Sequence, residues 1–256
     1  MPIKRTRPRF ANLVAWSFST YTQWLKCPFS VCLEKVQRIR IQEPWNPHFA
    51  KGDAAHAIAE DALKGVGKRL PPLTREVTTP DGGPPIRVDM TPVKDRLKAL
   101  KAANARGEQE WAFTRDWTPT GWFDRDVWVR IKTDACADTE EPPHVDIVDW
   151  KTGKVHEADH RLQRRLYATG GLQLVQIGVL AGGDKKADCT AQHVYVDTGQ
   201  TATETFKMKE LAALKREWAA RVKPMMEDTQ FPTRIGFHCK YCKYAKSRGG
   251  PCPEKQ

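Results

Sequence analysis

The chain has 256 residues, 40% hydrophobic and 29% charged, with 42 Lys and Arg against 31 Asp and Glu and a formal net charge of +11. This balance fits one substantial core, or a core with an added subdomain, and excludes a disordered or fibrous chain. No stretch approaches the ~18 apolar residues of a membrane span, and the basic start, with Lys4, Arg5, Arg7 and Arg9, leads into no signal-type apolar core, so a soluble cytoplasmic protein is expected.

Residues 1–16 read as a basic arm. Ser19 is placed to cap a short helix carrying Tyr21, Trp24 and Leu25, which Pro28 ends. Residues 48–65 read as an Ala-rich helix, with Gly65 and Gly67 at its end. Residues 71–90 are dense in Pro and Gly and read as an irregular or hairpin insert. Thr91 then caps a helix with Pro92 at its first position and Val93, Leu97 and Leu100 on its apolar stripe. Strands are expected at Glu110–Arg115, Asp124–Ala135 and His144–Lys151, with the acidic, Pro-containing 138–143 segment turning between the last two. A helix over 158–179, a strand near 189–197 and a helix near 206–222 follow, with Pro224 close after. This order favours one α/β domain with a mixed sheet. The expected organisation is the arm, a core over 17–230, and an irregular C-terminal segment over 231–256.

Four sets of residues carry chemistry. In Val148-Asp149-Trp150-Lys151-Thr152-Gly153, period-two alternation points Asp149 and Lys151 to one face. Asp134 ends the preceding strand-like run, in which Val127, Val129 and Ile131 share a face. Two carboxylates and a Lys at the ends of paired strands suit a divalent cation that activates water against a phosphodiester. Asp134, Asp149 and the Trp150 backbone carbonyl would hold it, and Lys151 would serve the water or the phosphate. A bare D-x-K is otherwise a surface ion pair. His56 and Glu60 share a helical face. The imidazole is a candidate fourth ligand that shifts preference towards Mn2+, and Glu60 either orients it or is solvated. Gln163 and Tyr167 share another helical face among Arg161, Arg164 and Arg165, an arrangement that suits a phosphate or a base.

The fourth set is the cysteines. Seven in a reducing compartment favour metal ligation over disulfides. Cys239 and Cys242 form a CxxC, Cys252 follows, and Cys27 is the N-terminal partner that completes four thiolates for an iron–sulfur cluster or tetrahedral zinc. Cys32 is the rival to Cys27, while Cys136 and Cys189 read as buried apolar fillers. Lys240, Lys243, Lys246 and Arg248 surround the tail cysteines with positive charge. The basic excess of the whole chain suits a polyanionic partner, and is also ordinary in a soluble basic protein.

In this order the sets resemble the PD-(D/E)xK nuclease superfamily, and within it the RecB-type nucleases. These include CRISPR-associated and phage exonucleases with a four-cysteine cluster. Ser17 through Cys27-Pro28 is similar to the family's N-terminal segment, Gly52 with His56 to its G-xxx-H helix, and Asp134 with Asp149-Trp150-Lys151 to its metal and catalytic strands. Gln163 with Tyr167 is similar to the Q-xxx-Y helix, and Cys239, Cys242 and Cys252 to the C-terminal cluster ligands. Ile131 stands where the family often has Gly, and Asp138 is an alternative acid to Asp134.

The resemblance implies a restriction-endonuclease-like mixed sheet flanked by helices, with a 4Fe–4S cluster joining the tail to the region of Cys27. It also implies an Mg2+- or Mn2+-dependent DNA exonuclease with His56, Asp134 and Asp149 on the metal and Lys151 catalytic. Gln163, Tyr167, Arg164 and Arg165 would lie on the nucleic acid. The implied substrate is single-stranded or free-ended DNA in recombination, repair or phage and CRISPR processing, with a helicase, integrase or recombination partner. A non-catalytic DNA-binding scaffold and an RNA nuclease are the rivals.

Overall fold

The computed structural model describes residues 10–65, 67, 69–153 and 157–254. Its helices and strands, in chain order, are α1 (Phe18–Lys26), α2 (Pro28–Val31), α3 (Pro47–Lys64), β1 (Thr74–Val77), β2 (Ile86–Asp89), α4 (Lys94–Ala102), β3 (Arg106–Phe113), β4 (Pro119–Thr120), β5 (Val129–Glu140), β6 (Pro143–Lys151), α5 (Glu157–Gln176), β7 (Asp188–Tyr195), β8 (Thr201–Lys207) and α6 (Leu211–Met226). The chain forms two compact units. One comprises Trp45–Trp111 and Ile131–Arg216; the other comprises the chain up to Pro44, Ala112–Arg130 and Glu217 onward.

In the first unit the strand order is β3-β5-β6-β7-β8. β5 and β6 are antiparallel, β6 and β7 parallel, and β7 and β8 antiparallel, so the sheet is mixed, as the sequence predicts. The parallel pair needs a crossover, which α5 supplies. β6 is buried along both faces, hence its nearly continuous run Val145, Ile147, Val148, Trp150. On one face Val148, Trp150 and Ala135 pack against Ala55, Ile58, Ala59 and Ala62 of α3. The small alanines let that helix come close. On the other face lies α5, and its Gly170-Gly171 pair explains how near it sits. A Cβ at Gly170 would meet Ile131 Cδ1 at 2.9 Å, and one at Gly171 would meet Ile147 Cδ1 at 2.9 Å. Each mid-helix Gly costs about 1 kcal/mol of helix propensity against Ala, and the close packing accounts for the choice.

The 71–90 insert is the hairpin β1–β2, paired Thr74↔Asp89 through Val77↔Ile86. Several boundaries differ from the sequence reading: β3 runs Arg106–Phe113, not Glu110–Arg115, and β5 starts at Val129, not Asp124. Thr91–Val93 is a 3-10 turn, and the α-helix starts at Lys94, with the Asp89 carboxylate accepting from the Thr91 N–H. The 138–143 segment is mostly strand, because β5 runs to Glu140 and β6 starts at Pro143. β8 replaces the expected start of the last helix. Its alternating Thr-Ala-Thr-Glu-Thr-Phe pattern suits a strand with one exposed face.

The second unit is built around tryptophans. Trp218 lies 5.4 Å from Trp16, 6.0 Å from Tyr21 and 6.4 Å from Phe18, measured between ring centroids. Trp16 bridges to Val129 in parallel. The cap of α1 is Ser17, not Ser19: Ser17 is extended and its Oγ accepts from the Thr20 N–H. Pro224 lies inside α6, not after it. The cysteine-bearing tail forms 3-10 turns over Phe237–Tyr241 and Lys246–Arg248. Gly250 is required there, since a Cβ would fall 2.4 Å from the Tyr244 carbonyl carbon.

Candidate active site

The β5–β6 ladder ends at Ala135↔Val148. Asp134 and Asp149 are the next residue on each strand, where the pairing stops. The Trp150 N–H goes to Asp134 Oδ2 at 2.7 Å. A cleft of about 440 Å3 opens beside them, lined by His56, Asp134, Asp149, Gln163 and Tyr167, with Lys132 at its edge. The structure therefore gathers α3, β5, β6 and α5 around His56, Asp134, Asp149, Gln163 and Tyr167, while Lys151 does not line the cleft and meets it through Asp149.

His56 Nε2 lies 3.2 Å from the Trp150 carbonyl, and Nδ1 lies 3.4 Å from Asp134 Oδ1. Burial, then the neighbouring Asp149 charge, pushes Asp134 up to about 7, against weaker lowering by His56. Asp149 is also buried, but Lys151 and then His193 hold its carboxyl below the usual range. Lys151 Nζ is 2.6 Å from Asp149 Oδ2. Tyr167 donates to Asp149 Oδ1 at 2.5 Å, and Gln163 Nε2 donates to the Tyr167 oxygen at 2.7 Å. Burial and the two carboxylates push the Tyr167 phenol well above its ordinary value, so it remains a donor. The Q-x-x-x-Y pair thus reaches the site by orienting Asp149.

Glu60 lines the same cleft but pairs with Lys64. Asp138 accepts from Arg106 at 2.6 Å and from the Ala181 N–H at 2.8 Å, and it does not line the cleft. Arg164 departs from its expected place on a nucleic acid: its side chain is 3% exposed. It is turned inward onto His193 Nδ1 at 3.1 Å, while Arg165 lies 3.8 Å from Glu204.

His193 was not legible in the sequence. The parallel β6–β7 register sets it beside Asp149, with Nε2 3.7 Å from Asp149 Oδ2. Since Arg only donates, Nδ1 accepts and Nε2 carries the hydrogen that faces the carboxylate. Burial lowers this imidazole to about 3, so it is neutral at working pH. His193→Leu removes this acceptor from buried Arg164. The expected loss is about 2 kcal/mol of unfolding free energy in urea melts.

In the second unit Cys27, Cys239, Cys242 and Cys252 line one pocket of about 260 Å3. Cys32 is fully buried and does not line it. Burial pushes the Cys242 and Cys252 thiols up, and the neighbouring cysteines push further. Among the described residues, no group of three or more His, Cys, Asp and Glu side chains is gathered closely enough to hold a metal ion as it stands.

Residues 15–247 match the family model of the PD-(D/E)XK nuclease superfamily, and the chain belongs to that superfamily. Its members are typically nucleases that use divalent metals such as Mg2+ or Mn2+, and the fold implies a nucleic-acid substrate. No curated protein matches the chain. The crystal structure of SSO0001 is similar at 14% identity over 96% of this chain and 89% of that one, with a TM-score of 0.42. Among the described residues no helix is long and apolar enough to cross a membrane.

Proposed function

We propose that the chain is a metal-dependent DNA exonuclease of the RecB type, acting on single-stranded or free-ended DNA in recombination, repair, or phage and CRISPR DNA processing. The observation that carries the reading is the facing pair His56 Nδ1 and Asp134 Oδ1. A carbonyl only accepts, so His56 Nε2 carries the hydrogen towards the Trp150 oxygen. In this tautomer Nδ1 presents a lone pair to Asp134 Oδ1 once the Asp134 carboxyl is ionised. A cation there satisfies both atoms, and an imidazole with two carboxylates suits Mn2+ or Mg2+. His56, Asp134 and Asp149 would hold the ion, with the Trp150 carbonyl beside them.

When bound, such an ion polarises a phosphoryl oxygen and lowers the pKa of an attacking water. Lys151 exchanges its Asp149 contact for the substrate, orienting or deprotonating the water or meeting charge on the phosphate. Tyr167 keeps the Asp149 carboxylate in place, and Gln163 has a second amide hydrogen for the nucleic acid. A time course on end-labelled single- and double-stranded DNA with Mg2+ or Mn2+, beside an RNA of the same sequence, tests this. Stepwise loss of DNA ends is expected. Cutting confined to RNA, or no cutting with either metal, overturns it.

The thiols of Cys27, Cys239, Cys242 and Cys252 are proposed to hold a 4Fe–4S cluster, with zinc as the alternative. That cluster would tie the 231–256 segment to the region of Cys27, beside a nuclease core over 17–230. The Cys242 and Cys252 thiols, raised by burial and by the neighbouring cysteines at this pocket, are groups whose deprotonation a cation favours. Cys27→Ser is expected to remove the metal and the brown colour of anaerobically purified protein. Cys32→Ser keeps both and costs about 1–2 kcal/mol, because a hydroxyl replaces a buried thiol. Elemental analysis and absorbance decide between iron and zinc. Loss of the metal in Cys32→Ser but not in Cys27→Ser would reverse the ligand choice.

A further inference from the structure

Outside the cleft, the surface beside the tail cysteines has no role in the reading above. Phe237 is 72% exposed, and Tyr241, four residues on, is 67% exposed. Their rings pair edge-on at 5.6 Å on one short turn, and Lys240 Nζ sits 5.1 Å from the Phe237 centroid. Ile235 adds a third exposed apolar side chain. A lone exposed aromatic is ordinary, but two that share a surface with aliphatic support are not.

Along the chain this segment carries charge of one sign, and the carboxylates that share its pocket, Glu34, Glu43 and Glu254, come from outside it. From Thr229 to Pro253 the sequence carries Arg234, Lys240, Lys243, Lys246 and Arg248 and no Asp or Glu. Lys243 is taken by Glu43 at 2.9 Å, and Arg234 lies over the Trp24 ring. Among the described residues no carboxylate pairs with Lys240, Lys246 or Arg248.

We infer that Phe237 and Tyr241 form a stacking platform for unpaired bases of a single-stranded nucleic acid, with Lys240, Lys246 and Arg248 on its phosphates. Every base has a π-face, so aromatic side chains bind single strands without reading sequence, and flanking cations follow the backbone. A folded protein partner would instead favour an apolar centre depleted of Lys. The inference rests on the nuclease reading for its ligand class, but it places binding on a second surface.

The test uses the full chain carrying Lys151→Ala, so that no substrate is cut, and fluorescence anisotropy without added divalent metal. The probes are oligothymidine and oligouridine strands of about 20 nucleotides and a DNA strand of equal length lacking bases. The parent is expected to prefer the strands with bases. Phe237→Leu with Tyr241→Leu keeps apolar volume but removes the π-faces. It is expected to weaken binding of the base-bearing strands roughly 10-fold or more and to erase the preference over the abasic strand. Phe237→Tyr, which restores a ring, retains it. Lys240→Gln with Lys246→Gln should lower the slope of log affinity against log salt by about 1.4.

A double-Leu variant with unchanged affinity and preference overturns the inference. So does a double-Leu variant that changes only the sedimentation of the protein, which would make the patch a self-association surface. Because binding is read in a non-cutting chain, absence of nuclease activity in the parent would count against the proposed function and leave this result standing.

Discussion

Lys151→Ala is expected to lower the single-turnover cleavage rate by about 1,000-fold while leaving DNA affinity nearly unchanged. Lys151 is 23% exposed and its ammonium sits 2.6 Å from Oδ2 of Asp149, a residue that lines the cleft. A positioned charge or proton-transfer group typically contributes 100- to 10,000-fold. Lys151→Arg should not rescue the rate. A planar guanidinium cannot occupy the place of a compact ammonium beside a carboxylate that also accepts from Tyr167. The rate is measured with protein in excess, and affinity by anisotropy without added metal. If rate and affinity fall together in both variants, Lys151 holds the substrate or the fold, and its assignment to the chemistry fails.

The cleft was readable where its geometry is local. Asp149 and Lys151 share a face because strands alternate, and Gln163 and Tyr167 share one because helices turn every 3.6 residues. Expected helix 48–65 is α3, Pro47–Lys64, since Ala spacing and a following Gly are local signals too. What the sequence hides is register between distant strands. His193 reaches Asp149 only because β7 pairs with β6 in parallel, and nothing within either strand specifies that offset. Arg164 misled for the same reason. On an isolated helix it is one more cation near Gln163, but packing α5 on the sheet through Gly170 and Gly171 turns it inward. β8 was lost because a polar strand with one wet face carries a weak hydrophobic pattern, and Pro224 because helix packing overrode a local breaker.

Asp134→Asn should abolish cleavage and yet stabilise the metal-free chain above neutral pH. Burial and the Asp149 charge push the folded Asp134 carboxyl up to about 7 from the ordinary Asp value near 3.9. A carboxyl raised in this way favours the folded state while protonated, and that contribution is lost as pH rises through about 7. Between pH 5 and pH 8 the loss is about 3 kcal/mol, from roughly two pKa units at 1.36 kcal/mol each. His193 acts in the opposite sense. Its folded value of about 3 costs stability as pH falls below its unfolded value near 6.5. The difference between parent and variant cancels that term, because both keep His193. Asn also suits the local geometry: Oδ1 still accepts from the Trp150 N–H, and the amide N–H donates to His56 Nδ1, replacing two facing lone pairs by a hydrogen bond. Urea melts at pH 5 and pH 8 should therefore diverge, with the variant ahead at pH 8 and the gap closing when Mn2+ is added to the parent. A variant with the parent's pH slope, or one that Mn2+ stabilises as strongly as it does the parent, would show that Asp134 is neither the strained carboxylate nor a ligand.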